Sequence, residues 1–373
     1  MKLLFALPGF HRHERGAEVA LLAVATELAR LGNEVTVVGS GPSRDGQAYR
    51  YIQVRTIDRE RFESFPSGPF FRNETAYEDL TFAFGLLRKV RTSDYDVTLT
   101  CSFPFTHFVL RRGKAAHVFV TQNGDWPAYS SASEYRLFKC DGLVCTNPDY
   151  YERNRAQWTA ALIPNGIDPT EYLSGPSDRA RFNLPESTPV ILMVSAFIES
   201  KRVLDGIRSV ALLPNAHLVI AGDGPMRDQV DRVAAEALPG RFTRLTLPAK
   251  CMPNLYRSVD VFLHMSKAES FGNVFVEALA SGLPVVAHDT SRIRWIVGDQ
   301  EFLTDTNSPE LTAAAIRDAV ASDPQLGRLR RSRAQEFSWQ SIGARYNTFM
   351  SEVVEKTGRK IGANAFPRYS PHS

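Results

Sequence analysis

The chain has 373 residues, of which 43% are hydrophobic and 23% charged, a composition typical of a folded enzyme that excludes collagen-like and low-complexity proteins. At roughly 150 residues per domain the length predicts about two domains, which excludes a single small binding module. The 44 lysines and arginines nearly balance the 41 acidic residues, and this excludes a dedicated nucleic-acid binder.

Neither the N-terminus nor the cysteines suggest an exported or membrane-spanning protein. The first apolar run, residues 2–7, is stopped by Pro8 and Gly9 and resembles a strand more than a signal peptide. No uncharged apolar stretch reaches the ~20 residues of a membrane-spanning helix. The four cysteines lack the spacing of a zinc site or a disulfide scaffold, which favours reduced thiols in a cytoplasmic protein.

Short β-rich runs alternate with amphipathic segments, and this pattern predicts βαβ units. Near the N-terminus the predicted elements are a strand over 2–7, a helix over 17–31, a strand over 34–38 and a later strand over 97–100. Beyond a turn-rich stretch at 164–168, the predicted strands are 190–194, 217–221, 261–265 and 284–288, and the predicted helices are 203–213, 226–238 and 274–280. Length and pattern together predict two doubly wound parallel sheets joined near residue 165.

The most informative segment runs from Glu269 to Val286. Glu269 follows a predicted strand, at the edge where open α/β sheets bind ligands. Gly272 permits a close backbone approach at a helix start, whose amides suit a phosphate. Glu277 lies further along that helix and could accept hydrogen bonds from two neighbouring hydroxyls. The segment therefore predicts a sugar-nucleotide site, although a solvated helix explains Glu277 alone about equally well.

Two glutamates separated by seven residues, Glu269 and Glu277, followed by a Gly-Leu-Pro-Val turn, resemble the hallmark of the retaining GT-B glycosyltransferases of family four. The resemblance extends to residues 163–168, 218–225 and 255–261. It implies an α/β GT-B fold with two Rossmann-like doubly wound parallel-sheet domains facing across a cleft. Residues 1–165, completed by a C-terminal helix at about 340–373, would form the acceptor-side domain, and residues 166–339 the donor-binding domain.

The activity that the resemblance implies is transfer of a sugar, with retention at the anomeric carbon and without an essential metal. The donor would be a UDP- or GDP-sugar, bound as a substrate rather than as a tight cofactor. The acceptor would be a glycan, a lipid-linked sugar or a natural product, and no nucleic acid is expected as a partner. The segment 57–75, which carries four phenylalanines among arginines, is either a functional loop that could contact a membrane peripherally or a loop that packs its aromatics into its own domain.

The resemblance also assigns roles to single residues. Glu277 would hold the donor ribose, and Glu269 the hydroxyls of the transferred sugar. Lys201 matches a diphosphate-binding lysine, where a fixed cation would offset the charge that grows on the leaving diphosphate. The backbone amides expected to contact the sugar or the diphosphate are those of Gly272, Asn273 and Val274.

Three positions depart from the family pattern. Ala196 stands where many relatives have an arginine, and Arg202 is the candidate replacement. Only Gly16 remains of the paired glycines expected after the first strand. A histidine that touches the donor sugar in many relatives is missing. Asp125 is the first candidate for its place and Asn123 the second, and His107 and His117 are further candidates, although a lone histidine is more often structural.

Two other functions remain open from the residues. An epimerase of nucleotide sugars could use the same architecture, and Ala196 with the missing histidine would suit a partner protein that binds a sugar nucleotide without turnover. Sugar transfer is favoured over both because the sequence keeps Lys201, Glu269 and Glu277 together. Asp94 and Asp96 would suit a metal-dependent transferase of another fold, but a turn before a strand is the favoured interpretation.

Overall fold

The computed structural model describes residues 1–68, 71, 73–121, 139–173, 175–267, 269 and 271–358. The chain divides into two compact units. The first holds Met1–Asn165 and the chain from Trp339 onward, and the second is Gly166–Ser338.

The first unit is built on a parallel sheet of seven strands in the order β3-β2-β1-β4-β5-β6-β7. Its strands are β1 (Lys2–Ala6), β2 (Glu34–Gly39), β3 (Arg50–Gln53), β4 (Val97–Cys101), β5 (Ala116–Thr121), β6 (Gly142–Cys145) and β7 (Ala160–Leu162). Among the residues described before the domain junction, its helices are α1 (Gly16–Arg30), α2 (Glu74–Lys89), α3 (Pro104–Arg111) and α4 (Pro148–Asn154). Strands β4 and β5 are buried at every position, as expected where helices cover both faces of a parallel sheet.

The second unit has a parallel sheet of six strands in the order β10-β9-β8-β11-β12-β13. Its strands are β8 (Val190–Val194), β9 (His217–Ala221), β10 (Phe242–Leu245), β11 (Val261–His264), β12 (Val285–His288) and β13 (Phe302–Thr304). Its helices are α5 (Thr170–Leu173), α6 (Val203–Ala211), α7 (Arg227–Ala237), α8 (Met252–Tyr256), α9 (Asn273–Ser281), α10 (Ser291–Val297), α11 (Pro309–Val320) and α12 (Leu326–Gln335). Neighbouring strand residues such as Ile191 and Leu192 belong to different apolar clusters, so each face of the sheet has its own core.

The last helix, α13 (Trp339–Lys356), returns to the first unit and packs on α1. Its buried face carries Ile342, Tyr346, Phe349, Met350, Val353 and Val354 at helical spacing. At Gly343 a Cβ atom would lie 2.5 Å from Glu27 Cβ, so the two helices approach too closely for any side chain there.

The prediction of two doubly wound parallel sheets is confirmed. The predicted strands and helices of the second unit differ from the observed ones by at most two residues at an end. Asp94 ends a short 3-10 turn, and the carboxylate of Asp96 accepts a hydrogen bond from the backbone amide of Lys2 at 2.7 Å. None of the helices described here is long and apolar enough to cross a bilayer.

Candidate functional site

The order of the strands in the second unit places the candidate site. Strand β8 pairs with β9 on one side and with β11 on the other, so the chain reverses its direction of growth across the sheet between β8 and β11. In open α/β sheets the loops beyond the carboxyl ends of two such strands diverge and leave a ligand-binding crevice. Lys201 follows β8 in a 3-10 turn, Glu199–Lys201, and Glu269 follows β11.

Glu269 is held between two nitrogen donors. Its Oε1 accepts a hydrogen bond from Lys201 Nζ and lies 3.0 Å from His264 Nε2. Only 14% of the Glu269 side chain is exposed, so an ionised carboxylate there needs such partners. Burial alone would raise the pKa of Glu269, but His264 and Lys201 outweigh it and lower that pKa to about 2. Glu269 is therefore a carboxylate at physiological pH.

The backbone of Glu269 is held from a third direction. Arg292, in α10, donates a hydrogen bond to the carbonyl oxygen of Glu269. Neither Arg292 nor His264 was a predicted site residue. His264 is the last residue of β11 and is 4% exposed, and a buried polar side chain at the carboxyl end of a central strand is the signal that could have found it.

Helix α9 begins at Asn273, four residues after Glu269. Gly272 precedes it with φ of +84°, in the left-handed region, where a Cβ atom would lie 2.9 Å from the Phe275 ring. Because the first amides of an α-helix have no partner within the helix, those of Asn273 and Val274 form a positive terminus suited to an anion. Gly282, also at φ of +84°, ends the helix.

Glu277 lies one turn inside α9, and its carboxyl group interacts with two tyrosines. Its Oε2 accepts a hydrogen bond from the Tyr256 hydroxyl at 2.8 Å, and the Tyr172 hydroxyl also bonds to this carboxyl group. Burial raises the pKa of Glu277, and the two hydroxyls act in the opposite direction by stabilising the carboxylate. Such a carboxylate retains acceptor capacity for further hydroxyls.

Arg202 adopts a left-handed conformation, with φ of 53°, and its guanidinium is turned toward the interior of the second unit. It donates to the carbonyl and hydroxyl oxygens of Thr306 at 2.8 and 2.9 Å, to Met265 O at 3.2 Å and to Asp205 at 3.0 Å. These contacts tie the start of α6 to the loop after β13. Contact of Arg202 with a diphosphate stays a prediction.

The predicted residues of the first unit have different outcomes. Gly16 is the first residue of α1, and a Cβ atom there would meet nothing within 4 Å, so the backbone is open to a close approach. Asn123 and Asp125 lie outside the described residues. His107 and His117 are both buried, and His117 bonds to His107 and to Thr98 at 2.9 and 2.8 Å. Burial and Arg111 lower the pKa of His117 to about 3, as expected for a neutral interior histidine.

Within the part of the chain that the structure describes, no group of three or more histidines, cysteines, aspartates and glutamates is arranged to hold a metal ion. The donors to Glu269 are nitrogens of two cations, Lys201 and Arg292, together with Nε2 of His264. The arrangement suits an anionic ligand with hydroxyl groups.

Sequence comparisons identify the family. The profile described as glycosyl transferases group 1 matches residues 175–336, and that described as glycosyltransferase family 4 matches residues 15–171. D-inositol 3-phosphate glycosyltransferase of Mycolicibacterium smegmatis is 30% identical to this chain, and the match covers 95% of this chain and 91% of the relative. The enzyme of the same name from Mycolicibacterium vanbaalenii is 31% identical, and that match covers 87% of this chain and 82% of the relative. The chain belongs to the group 1 glycosyltransferases.

Other relatives of this group 1 glycosyltransferase match over part of its length. The lipopolysaccharide core biosynthesis glycosyltransferase LpsE of Rhizobium meliloti is 31% identical over 56% of this chain, and the match spans 62% of the relative. Among solved structures, Anabaena HepE in complex with UDP has a TM-score of 0.73 at 18% identity, covering 94% of this chain and all of the other. Sucrose-phosphate synthase from Thermosynechococcus elongatus has a TM-score of 0.72 at 19% identity, and the match covers 95% of this chain and 99% of the synthase chain. These likenesses establish the GT-B fold.

Proposed function

We propose that the chain is a retaining glycosyltransferase that moves a sugar from a UDP- or GDP-sugar to a carbohydrate, lipid-linked or natural-product acceptor. The observation that carries the proposal is the grouping of Lys201, His264 and Glu269 beside the N-terminus of α9, at the carboxyl ends of β8 and β11. A cation, a carboxylate and helix amides grouped in this way would suit a sugar diphosphate, and this supports the proposal. We place the enzyme in the cytoplasm, as the free thiols favour.

The transfer breaks the bond between the anomeric carbon and a diphosphate oxygen and forms a bond from that carbon to an acceptor oxygen. The bonding electron pair leaves with the diphosphate, on which negative charge grows, and the proton released by the acceptor hydroxyl passes to the diphosphate oxygen. Lys201 and the amides of Gly272, Asn273 and Val274 would stabilise that charge without a metal ion. Glu269 would orient the sugar through its hydroxyls, and Glu277 would accept the ribose hydroxyls. The first unit would hold the acceptor and the second the donor.

The relatives leave two nucleotides to choose between. HepE is solved with UDP and with UDP-glucose, whereas a Mycobacterium tuberculosis relative, 32% identical over 55% of this chain and 56% of its own, is named a GDP-mannose-dependent phosphatidylinositol dimannoside mannosyltransferase. UDP-glucose and GDP-mannose are therefore the first donors to test. Epimerisation of a nucleotide sugar on the same fold is the competing function.

The experiment is donor breakdown by the purified protein, with UDP-glucose or GDP-mannose, a mixture of simple glycoside acceptors, and EDTA in half of the samples. We expect release of UDP or GDP, an α-linked product by NMR because both donors are α-configured, and no loss with EDTA. Lys201→Ala should slow release at least tenfold, as loss of a charged contact predicts. A β-linked product or full dependence on a divalent ion would contradict the mechanism. An epimerised donor without released diphosphate would favour the epimerase.

We also propose that the outer face of α2 contacts an anionic lipid surface. Phe84 and Leu87 are 56% and 51% exposed, and Ile57 lies beside this helix through a hydrogen bond from its amide to Thr81 at 3.1 Å. From Phe84 to Arg91 the exposed polar side chains are all basic, namely Arg88, Lys89 and Arg91. Apolar side chains bordered by cations suit the interface of a membrane with anionic lipids.

Sedimentation with phosphatidylcholine vesicles, with and without phosphatidylglycerol, tests this contact. The double variant Phe84→Ser, Leu87→Ser should lose binding to the anionic vesicles. Leu311→Ser with Leu329→Ser removes two equally exposed leucines from the second unit and serves as the control. Equal sedimentation of both double variants would contradict the contact.

A further inference from the structure

We propose that His264 is a positioning residue that keeps the Glu269 carboxylate oriented when Lys201 turns from Glu269 to the donor diphosphate. This inference rests on the proposed function, because that function assigns the diphosphate to Lys201. It concerns a residue that the sequence motif does not include.

Two donors share one oxygen of Glu269. Lys201 Nζ bonds to Oε1, and His264 Nε2 lies 3.0 Å from the same atom, within the range of a hydrogen bond. A carboxylate cannot donate, so the bond requires a proton on Nε2, which both the Nε2-protonated neutral ring and the imidazolium provide. Because both donors meet Oε1, the inference assigns the sugar hydroxyl to the other oxygen of Glu269.

The two donors differ in how firmly they are held. His264 ends β11, pairs with Ala287 of β12, and packs its ring at 4.7 Å from Phe275 and 6.1 Å from Phe262, measured between ring centroids. Lys201 ends a short turn and carries its ammonium on a flexible four-carbon chain. The ring is therefore the fixed donor and the ammonium the movable one.

A movable Lys201 explains why a second donor is needed. Growing charge on the leaving diphosphate draws the ammonium toward it, and this weakens the bond to Glu269 at the moment when the sugar must stay in place. A largely buried carboxylate that loses its ion pair pays a large desolvation penalty unless another donor remains. His264 supplies that donor from the sheet, and Arg292 holds the backbone carbonyl of the same residue.

The test compares His264→Leu, which removes the donor, with His264→Gln, whose side-chain amide restores an N–H at similar reach. His217→Leu is the matched control, because His217 is also a buried histidine, but it begins β9 at the opposite end of the sheet and bonds to Thr243. Calorimetry measures the affinity of each variant for UDP and UDP-glucose, and for GDP and GDP-mannose. Donor breakdown is followed from pH 4 to 8.

We expect His264→Leu to bind UDP or GDP, which lack the sugar, as tightly as the wild type does, and to bind the sugar nucleotide about tenfold more weakly. Donor breakdown should slow by at least as much, because a hydrogen bond to a charged group is lost. His264→Gln should recover most of both. The groups that face Glu269 are Lys201, His264 and Arg292. Loss of the His264 donor raises the pKa of Glu269. As the pH is lowered, donor breakdown by the leucine variant should therefore begin to decrease at a higher pH than breakdown by the wild type.

Wild-type behaviour of His264→Leu would overturn the inference. So would an equal loss of affinity for the diphosphate and for the sugar nucleotide, because that result indicates general damage to the site. Failure of the proposed function differs from both: the wild type itself would bind none of the four nucleotides.

Discussion

At the scale of single residues, the hydrogen bonds of Glu277 determine how it can serve a ligand. The Tyr256 hydroxyl bonds to Oε2 at 2.8 Å, and Tyr172 adds a second hydroxyl to the same carboxyl group. Both tyrosines are buried, so they fix the carboxylate from inside the unit. Ribose hydroxyls would then meet an acceptor that is already oriented, which reduces the entropy lost on binding.

Tyr256→Phe should therefore weaken binding of UDP or GDP by about tenfold, because the carboxylate loses a donor. Burial raises the pKa of Glu277, so binding should weaken as the pH falls toward that pKa, and in the variant the weakening should begin at a higher pH. Calorimetry between pH 5 and 8 measures both effects. Tyr346→Phe, at a buried tyrosine of the first unit, is the control. If the affinity of Tyr256→Phe for UDP and GDP is unchanged, Glu277 does not hold the ribose.

The sequence places some of these residues but not others. Glu269, Glu277 and Gly272 lie within nine residues of one motif, and their order along a strand, a loop and a helix follows from local patterns. His264 lies near the end of a predicted strand, five residues before Glu269, and was open to prediction, whereas Arg292 comes from the next βα unit, so only the folded chain brings it to Glu269. Contacts across separate loops have no signature in a single sequence.

At the scale of elements, the start of α3 depends on a side chain from α2. Asp79 is fully buried and accepts hydrogen bonds from the amides of Phe105 and Thr106 at 2.7 and 3.1 Å and from the Thr106 hydroxyl at 2.6 Å. A carboxylate that satisfies free amides of a helix start replaces the usual local cap. The sequence could not predict this cap, because the acceptor, Asp79, is separated from its donors by 26 and 27 residues.

Burial raises the pKa of Asp79 to about 7, above its usual 3.8, although the hydrogen bonds act against the rise. The stability that this group contributes is therefore fully present below about pH 4 and is lost as the pH rises through 7. Between pH 5 and 7 the wild type should lose about 2 kcal/mol of unfolding free energy relative to Asp79→Asn.

Urea denaturation at the two pH values measures this difference. The exposed substitution Glu34→Gln removes the same formal charge from the surface and is the control. A difference between wild type and Asp79→Asn that does not change with pH would show that the carboxyl group stays ionised throughout.

At the scale of the whole molecule, the two sheets follow from the alternation of strands and helices, and the last helix joins the first unit although it comes after the second. The predicted terminal helix at about 340–373 corresponds to α13, which spans Trp339–Lys356; residues 359–373 lie outside the described part. Its apolar stripe was visible in the sequence. The family resemblance assigned this helix to the first domain, but the stripe does not show that it packs on α1.

The close contact of α13 with α1 makes Gly343 a sensitive position. Gly343→Val should destabilise the first unit by roughly 1–3 kcal/mol, because the added side chain overlaps Glu27 and forces the helices apart. Ala344→Val places the same side chain at the exposed neighbouring position and is the control. Thermal unfolding should show a lower Tm for the first variant alone. Equal values of Tm would mean that the two helices are not closely packed in solution.

The central claim is that the segment from Lys201 to Glu277 binds a nucleoside diphosphate. Calorimetric titration of the protein with UDP, GDP, ADP and TDP, beside Glu277→Ala, tests it most directly. We predict that the protein binds UDP or GDP in preference to the others, and that the variant loses this binding. Equal affinity of the two proteins, or no binding by the wild type even with a divalent ion, would contradict the claim.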